Sequence, residues 1–191
     1  MLFIILFLSY LIGSIPFGFL LTKIFLKKDI REIGSGNIGA TNALRTGNKL
    51  IGYSTLTLDI SKAVILLLII KFNFSEYLFI SSIAVFLGHV FPIWLKFKGG
   101  KGVATYVGIL FCINIYLVIF FIVSWLIIFV LTKYSSLASM LSALFVPLTS
   151  YFLLGDNNYY FYIIFGLLIL ITHRENIKRL KNNTESKTKI Y

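Results

Sequence analysis

The sequence predicts an all-α integral membrane protein, a polytopic bundle of helices that crosses a bilayer several times. Hydrophobic residues make up 58% of the 191 residues and charged residues only 13%, which lies outside the usual composition of soluble domains. Several runs also lack charge for about the length needed to span hydrocarbon. A soluble protein with a very apolar core would need polar positions every few residues, so the sequence disfavours that class.

The distribution of positive charge predicts the orientation. The net charge of +11 would suggest a nucleic-acid partner in a soluble protein, but in a membrane protein basic residues collect in cytoplasmic loops. No basic residue precedes Lys23, and no cleavage pattern indicates a removable signal peptide. We therefore expect the N-terminus outside, the first loop inside, and no nucleic-acid partner.

Three spans are predicted in the first half, at residues 2–22, 51–70 and 78–95. Pro16 and Gly18 should bend the first. The second contains Asp59 and Lys62, which are three residues apart and therefore share a helical face. Ionisable groups within a span usually face the bundle interior. A structural ion pair and a direct role at a functional site both explain them.

Whether residues 103–131 cross the membrane an odd or an even number of times determines the topology of the second half. Residues 103–131 are uncharged and too long for one ordinary span. The tail belongs inside because it is basic, so this run must cross an even number of times, as two short helices turning near residues 114–116 would. Spans at 134–154 and 158–172 follow. The prediction is seven helices with a cytoplasmic C-terminus, or five full spans plus a re-entrant segment. Residues 1–181 form one domain and 182–191 a cytoplasmic tail that reads as disordered. The basic residues of this C-terminal region are Arg174, Lys178, Arg179, Lys181, Lys187 and Lys189.

This topology brings three unusual segments to the cytoplasmic face. The first segment is residues 34–47, GSGNIGATNALRTG. The second segment is residues 88–105, GHVFPIWLKFKGGKGVAT, and the third is residues 172–185, THRENIKRLKNNTE. Both histidines and most small polar residues lie in them. Their convergence on one side predicts a site there more strongly than any one motif does.

The glycines of the second segment predict an anion site. Gly99, Gly100, Lys101 and Gly102 precede an apolar run, which places a glycine turn at a helix N-terminus. Backbone N–H groups in such turns and the helix dipole both favour a phosphate. The alternative is a tight interfacial turn without a ligand. A Walker A loop is excluded because glycine follows the lysine, and the G-x-G-x-x-G of the first segment lacks the neighbouring strand of a dinucleotide fold.

The sequence surroundings of the two histidines and of the cysteine predict different roles for them. His173 and Asn176 share a face if the last helix continues past the membrane, which favours a functional histidine. His89 is surrounded by Phe and Leu, which favours a structural one. Cys112 lies in an apolar run and is expected to pack. Neither histidine begins an HxxxxD pair, and no metal-ligand spacing is present, so no metal or cofactor is predicted.

At these three segments the sequence resembles the bacterial acyl-phosphate:glycerol-3-phosphate acyltransferases, the PlsY family. The family pattern SGNxGATN stands at residues 35–42 with Arg45 following, and GHxFPxxxxFxGGKGxAT stands at 88–105. The third pattern, HxxNIxRLxxGxE, matches from His173 to Glu185, except that Asn183 replaces a glycine often found there. The local turn is therefore where this chain departs from the family.

The resemblance implies transfer of a fatty acyl group from acyl phosphate to the 1-hydroxyl of glycerol 3-phosphate, giving lysophosphatidic acid and phosphate. It implies a bacterial inner-membrane enzyme with a cytoplasmic site, membrane lipid around it and functional coupling to an enzyme that makes acyl phosphate. Implied to bind glycerol 3-phosphate are Arg45, Lys101, Gly99, Gly100 and Gly102. Implied to hold acyl phosphate and polarise its carbonyl are Ser35, Gly36, Asn37, Asn42, His173 and Asn176, of which Ser35, His173 and Asn176 are the catalytic residues. Thr41 and Arg179 are implied to bind substrate, and His89, Asp59, Lys62 and Glu185 are supporting residues.

Two questions stay open from the sequence. Either His173 or the phosphate of the donor could accept the hydroxyl proton. An acyltransferase that uses acyl-CoA or acyl carrier protein directly is the main alternative function. An anion transporter is a weaker one, because it would place more ionisable residues near the bilayer midplane.

Overall fold

The computed structural model describes residues 1–188, and all regular secondary structure among them is helical. Lys189, which belongs to the predicted tail, lies outside the described residues. The chain divides into two compact units, the first comprising Met1–Cys112 and the second beginning at Ile113. The prediction of one domain over residues 1–181 therefore stays a prediction.

The first unit contains six α-helices. They are α1 (Leu2–Gly13), α2 (Phe17–Leu26), α3 (Ala40–Leu44), α4 (Lys49–Asn73), α5 (Leu78–Val90) and α6 (Val103–Ile113). Short 3₁₀ helices lie at Ile30–Glu32, Ser75–Tyr77 and Ile93–Leu95. The predicted bend in the first span is confirmed, because the helix stops at Gly13 and resumes after Pro16, whose ring cannot continue the backbone hydrogen bonds.

Close packing of α1 on α5 holds the first unit together. A side chain on Gly13 would overlap the backbone of Val85, and one on Gly88 would overlap the carbonyl of Tyr10. Helix backbones in membranes approach this closely where small residues line the contact. The Tyr10 hydroxyl also donates to the carbonyl of Phe91 at 2.6 Å, which fixes the end of α5 where the second segment begins.

The second unit contains four α-helices in its described part. They are α7 (Ile115–Thr132), α8 (Ser135–Leu154), α9 (Tyr159–Thr172) and α10 (Arg174–Lys181). Consecutive helices pack against each other, α7 on α8 and α8 on α9. Small residues of α8 allow this, and Trp125 Nε1 donates across the α7–α8 contact to Ser139 Oγ at 3.0 Å.

Four stretches within residues 1–188 are long and apolar enough to cross a membrane, namely Leu2–Leu26, Ser75–Leu95, Ile115–Thr132 and Ser135–Leu154. Two shorter apolar helices lie at Val103–Ile113 and Tyr159–Thr172. The predicted break near residues 114–116 is confirmed, since α6 ends at Ile113 and the Asn114 side chain caps α7 by accepting from Tyr116 N at 2.9 Å.

The predicted disorder of the tail is wrong for residues 182–188. Thr188 N donates to the carbonyl of Lys133 at 2.9 Å, and Glu185 makes three side-chain contacts with the second unit. The polar composition that suggested disorder is instead used in specific hydrogen bonds.

Candidate active site

The first segment is shaped by the side chain of Asn42. This side chain is buried, and its amide group donates to the carbonyls of Ile30 at 3.1 Å, Ile33 at 2.9 Å and Asn37 at 2.8 Å. Its oxygen accepts from Ser35 N at 2.9 Å. Asn42 was predicted to bind substrate directly, but these hydrogen bonds occupy its amide group within the loop and hold residues 30–37 in one conformation.

The remaining polar residues of the first segment lie around this loop. Ser35 and Arg45 are exposed, and the Arg45 side chain runs beside Gly34, where an added Cβ would lie 2.9 Å from Arg45 Cδ. Gly34 and Gly36 have positive φ angles of 54° and 71°, which glycine adopts without steric cost. Asn37 Oδ1 accepts from Gly39 N at 3.2 Å. Ser35, Asn37 and Arg45 are thus presented by a rigid turn.

A carboxylate and a cation flank this loop outside the predicted site. Asp29 caps the 3₁₀ helix and pairs with Arg31, whose NH2 lies 2.6 Å from Asp29 Oδ2. The hydrogen bond from Arg31 lowers the pKa of Asp29 to about 2. The charge of Arg31 is therefore balanced by Asp29. Arg45, which belongs to the first segment, lies next to the glycine turn at Gly34.

The first and second segments rest on one hydrophobic cluster. Leu95, from the second segment, packs with Ile30, Ile38, Ala43 and Ile51, all of them buried. Ile38 and Ala43 belong to the first segment. The structure therefore brings these two predicted segments together within the first unit.

The glycine turn of the second segment folds back onto the end of α5. Gly99 N donates to the carbonyl of Val90 at 3.0 Å, and Gly100 N donates to the carbonyl of His89 at 3.1 Å. Gly102 has a φ of 83°, and a side chain there would overlap the ring of Phe86. Helix α6 begins directly afterwards at Val103, so the turn stands at a helix N-terminus as predicted, with Lys101 half-buried in it.

The second unit places His173 at the junction of α9 and α10. His173 is buried, and its Nδ1 lies 2.8 Å from the carbonyl oxygen of Ile169. A carbonyl only accepts, so Nδ1 carries the ring proton and Nε2 is the accepting nitrogen of the neutral ring. As expected, helical structure continues beyond the last predicted span. The continuation is a separate helix, α10, and His173 lies at the break between α9 and α10.

Glu185 organises the rest of the third segment. Its Oε1 accepts from Asn176 Nδ2 at 2.6 Å and from Ser136 Oγ at 2.7 Å, and its Oε2 accepts from Arg179 Nε at 2.6 Å. Burial alone would raise the pKa of Glu185, but these hydrogen bonds and the charge of Arg179 outweigh it and lower the pKa. Ser136 belongs to α8 and to none of the predicted segments, and no sequence pattern indicates it.

Comparison with known proteins identifies the family. The family model for glycerol-3-phosphate acyltransferase matches residues 3–183. Curated relatives of that name include one from Pelagibacter ubique (strain HTCC1062), 67% identical over 96% of this chain and 95% of the relative, and one from Bartonella henselae, 48% identical over 94% and 88%. The chain belongs to the glycerol-3-phosphate acyltransferase family. It is an acyltransferase.

Solved structures give the same result for the acyltransferase fold. The glycerol 3-phosphate form of PlsY (YgiH), an integral membrane glycerol 3-phosphate acyltransferase, is 36% identical with a TM-score of 0.90 over 97% of this chain and 94% of that one. Its lysophosphatidic acid form matches with a TM-score of 0.87. The sequence-based prediction of the family is confirmed, and the acyltransferase is a membrane protein.

Two supporting residues of the acyltransferase form a buried ion pair. Asp59 Oδ1 and Lys62 Nζ lie 2.8 Å apart on α4, both side chains 3% exposed. The contact agrees with both explanations that the sequence left open, a structural ion pair and a role at the functional site. His89 also lies in this cluster, with its Nδ1 2.9 Å from Lys62 Nζ.

Proposed function

We propose that this acyltransferase transfers a fatty acyl group from acyl phosphate to the 1-hydroxyl of glycerol 3-phosphate, giving lysophosphatidic acid and phosphate. The observation that carries the proposal is a pair of glycine turns, residues 34–37 beside Arg45 and residues 99–102 around Lys101, in two segments that share one hydrophobic cluster through Ile38, Ala43 and Leu95. Two such turns fit a reaction with two phosphate-bearing substrates. The PlsY relative, solved in glycerol 3-phosphate and lysophosphatidic acid forms, supports the acceptor and the product.

The second turn is assigned to glycerol 3-phosphate. Its glycines allow the backbone N–H groups at the start of α6 to approach a phosphate, and Lys101 adds a positive charge there. Arg45 is assigned to the same phosphate, since its planar group can donate two parallel hydrogen bonds. Acceptor binding therefore depends mainly on charges in the first unit.

The residues assigned to acyl phosphate hold the donor and polarise its carbonyl. From the first segment these are Ser35, Gly36, Asn37 and Thr41, on the loop that Asn42 fixes. From the third segment they are Asn176, and Arg179 held by Glu185. His173 belongs to the same segment, but its Nδ1–H is directed at the carbonyl of Ile169 and its Nε2 only accepts, so it is assigned to proton transfer. Oriented donors that stabilise developing negative charge on the carbonyl oxygen are worth several kcal/mol, about 3 for a single donor.

The reaction needs no acyl-enzyme, because acyl phosphate is a mixed anhydride with a good leaving group. The acceptor hydroxyl oxygen forms a bond to the acyl carbon, and the bond from that carbon to the phosphate oxygen breaks. The phosphate leaves with the electron pair. Nε2 of His173, the accepting nitrogen, is assigned to take the hydroxyl proton, and the donor phosphate is the other candidate base.

We also propose the topology that this chemistry requires. Seven crossings would comprise α1 with α2, α4, α5, α6, α7, α8 and α9, with the N-terminus outside and the C-terminus in the bacterial cytoplasm. Residues 1–181 would form one catalytic domain in the inner membrane. The water-soluble acceptor would then reach the site from the cytoplasm, and a membrane enzyme that makes acyl phosphate would supply the donor.

Donor choice tests the proposal directly. Purified protein in lipid is given labelled glycerol 3-phosphate with acyl phosphate, acyl-CoA or acyl carrier protein thioester in separate reactions. We expect labelled lysophosphatidic acid and one equivalent of phosphate with acyl phosphate alone. Product with a thioester and none with acyl phosphate would contradict the donor assignment. Lys101→Gln is the matched control, which should lose acceptor affinity while the protein remains folded.

A further inference from the structure

Three buried ionisable residues of the first unit lie beside the second turn. Counted over whole residues, Asp59, Lys62 and His89 are 2%, 6% and 4% exposed. Lys62 Nζ lies 2.8 Å from Asp59 Oδ1, 2.9 Å from His89 Nδ1 and 2.9 Å from the carbonyl oxygen of Ile15. The ring of Phe17 lies 5.7 Å from the same ammonium group. Lys62 is therefore held by the α1–α2 connection, by α4 and by α5 at once.

These contacts determine which nitrogen of His89 carries the proton. Nδ1 of His89 lies 2.9 Å from Lys62 Nζ and 3.5 Å from Asp59 Oδ1. With Lys62 charged beside Asp59, its ammonium group donates and cannot accept, so we assign the shorter contact as a hydrogen bond that Lys62 donates to Nδ1. In a neutral imidazole the other nitrogen then carries the hydrogen, so His89 is fixed as the Nε2–H tautomer.

The Nε2 atom lies at the second turn. A Cβ added to Gly100 would overlap His89 Nε2 and would lie 2.8 Å from Cε1 of the same ring. The imidazole thus occupies the space that a side chain at residue 100 would take. The backbone of His89 also accepts from Gly100 N at 3.1 Å. Nε2 of His89 therefore packs against the backbone of Gly100, the residue before Lys101.

We propose that His89 is a phosphate-binding residue whose Nε2–H donates to the phosphate of glycerol 3-phosphate, and that Asp59 and Lys62 are positioning residues that fix this tautomer. The proposal rests on the proposed function in one respect, the assignment of the second turn to glycerol 3-phosphate. The buried ion pair then has a role in substrate binding in addition to helix packing. Because the pair is neutral as a whole, it orients the ring without adding net charge at depth.

A matched pair of variants tests whether Nε2–H of His89 donates a hydrogen bond to the phosphate. The amide nitrogen of glutamine in His89→Gln can reach the position of Nε2, whereas the shorter amide of His89→Asn reaches only the position of Nδ1. We expect His89→Asn to raise the KM for glycerol 3-phosphate roughly tenfold to a hundredfold, as for loss of a hydrogen bond to a charged group, with kcat little changed. His89→Gln should stay within about threefold of the parent enzyme, a margin below one such bond. Equal KM values in two folded variants would overturn the donor role.

The positioning role has a separate readout. Nitrogen-15 NMR of the histidine-labelled enzyme without substrate reports the tautomer, and a His173→Asn sample assigns the two rings. We expect a protonated Nε2 on His89 in the parent enzyme. The double variant Asp59→Leu/Lys62→Met removes both charges at similar volume, which folded proteins commonly tolerate. It should lose that fixed tautomer and raise KM as His89→Asn does.

The outcomes separate this proposal from the proposed function. A double variant that keeps the Nε2–H tautomer and the parent KM would overturn the positioning role. If the parent enzyme does not use glycerol 3-phosphate, the proposed function fails and the phosphate ligand of His89 fails with it. The NMR measurement needs no turnover, so it would still establish or refute the role of Lys62 in fixing the ring.

Discussion

The two histidines show how one neighbouring atom decides the chemistry of a residue. His89 Nδ1 is assigned as the acceptor of its 2.9 Å contact with the Lys62 ammonium group, while His173 Nδ1 donates to the carbonyl oxygen of Ile169. The remaining nitrogen is therefore a donor in His89 and an acceptor in His173. A donor suits phosphate binding and an acceptor suits proton abstraction, so the two rings are assigned different tasks.

Removal of His173 tests its assignment as general base. His173→Ala should reduce the single-turnover rate of acyl transfer by about 10²–10⁴-fold while both substrates still bind. The measurement is rapid quench with enzyme in excess and both substrates saturating. Glu175→Gln, two residues along and exposed, is the control and should keep the parent rate. A normal single-turnover rate in His173→Ala would assign the proton to the donor phosphate instead.

At the scale of an element, the end of α10 explains the departure from the family pattern at Asn183. Thr184 N donates to the carbonyl of Arg179 at 2.8 Å, and Asn183 N donates to that of Leu180 at 3.2 Å. This pair of bonds is the Schellman motif, which needs a left-handed residue just past the helix. Asn183 has a φ of 56°, a conformation that asparagine tolerates better than other residues with a side chain.

Substitutions at Asn183 should follow this backbone requirement. Asn183→Gly should leave the thermal unfolding midpoint unchanged or higher, because glycine adopts a positive φ without steric cost. Asn183→Ala should destabilise by about 1 kcal/mol, because its Cβ is strained in that conformation. Asn182→Ala is the control, since Asn182 has a φ of −90°. Thermal unfolding in detergent measures all three, and equal midpoints for the alanine variants would contradict the motif's importance.

The link that Glu185 makes between α10 and Ser136 of α8 should be sensitive to acid. Its pKa is lowered in the folded protein, so the folded state favours the carboxylate over the protonated acid. The stabilisation is present above the unfolded pKa, near 4.5, and is lost as pH falls through the folded value. Unfolding measured from pH 7 downward should show stability falling below about pH 4.5.

A variant separates Glu185 from the other carboxylates. Glu185→Gln should be less stable than the parent at pH 7 by about 1–3 kcal/mol, because Arg179 and its neighbours lose a charged acceptor. The difference between the two proteins should shrink as the pH falls, because the parent carboxylate becomes protonated. A difference that stays constant down to the folded pKa would show that the ionised form contributes nothing.

Over the whole molecule, the sequence predicts helices and motifs better than partners. Apolar runs and Pro16 predicted the helices and the first break, and three motifs in order predicted the family. Neither the use of the Asn42 amide within its own loop nor the contact of Glu185 with Ser136, 49 residues away, could be predicted. Such contacts depend on how distant elements pack, and residue spacing along one helix carries no information about that.

The proposed topology is a property of the whole molecule and can be tested with single cysteines. In a Cys112→Ala background, cysteine replaces one exposed residue at a time, namely Lys28, Glu76, Lys98, Tyr116, Asn157 or Lys178. A membrane-impermeant maleimide is then added to intact cells. We expect labelling at residues 76, 116 and 157, and none at 28, 98 and 178 until the membrane is opened, because basic loops stay inside.

Residue 116 distinguishes the two topologies that the sequence left open. If residues 103–131 cross twice, the start of α7 reaches the outer face and the cysteine at 116 reacts in intact cells. If that run is re-entrant, residue 116 remains within the membrane or on the inner side and is protected, while residues 76 and 157 still react. Labelling at 28 or 98 from outside would reverse the orientation altogether. The site formed by the first two segments would then face away from the cytoplasmic pool of glycerol 3-phosphate, and the proposed function would fail with the topology.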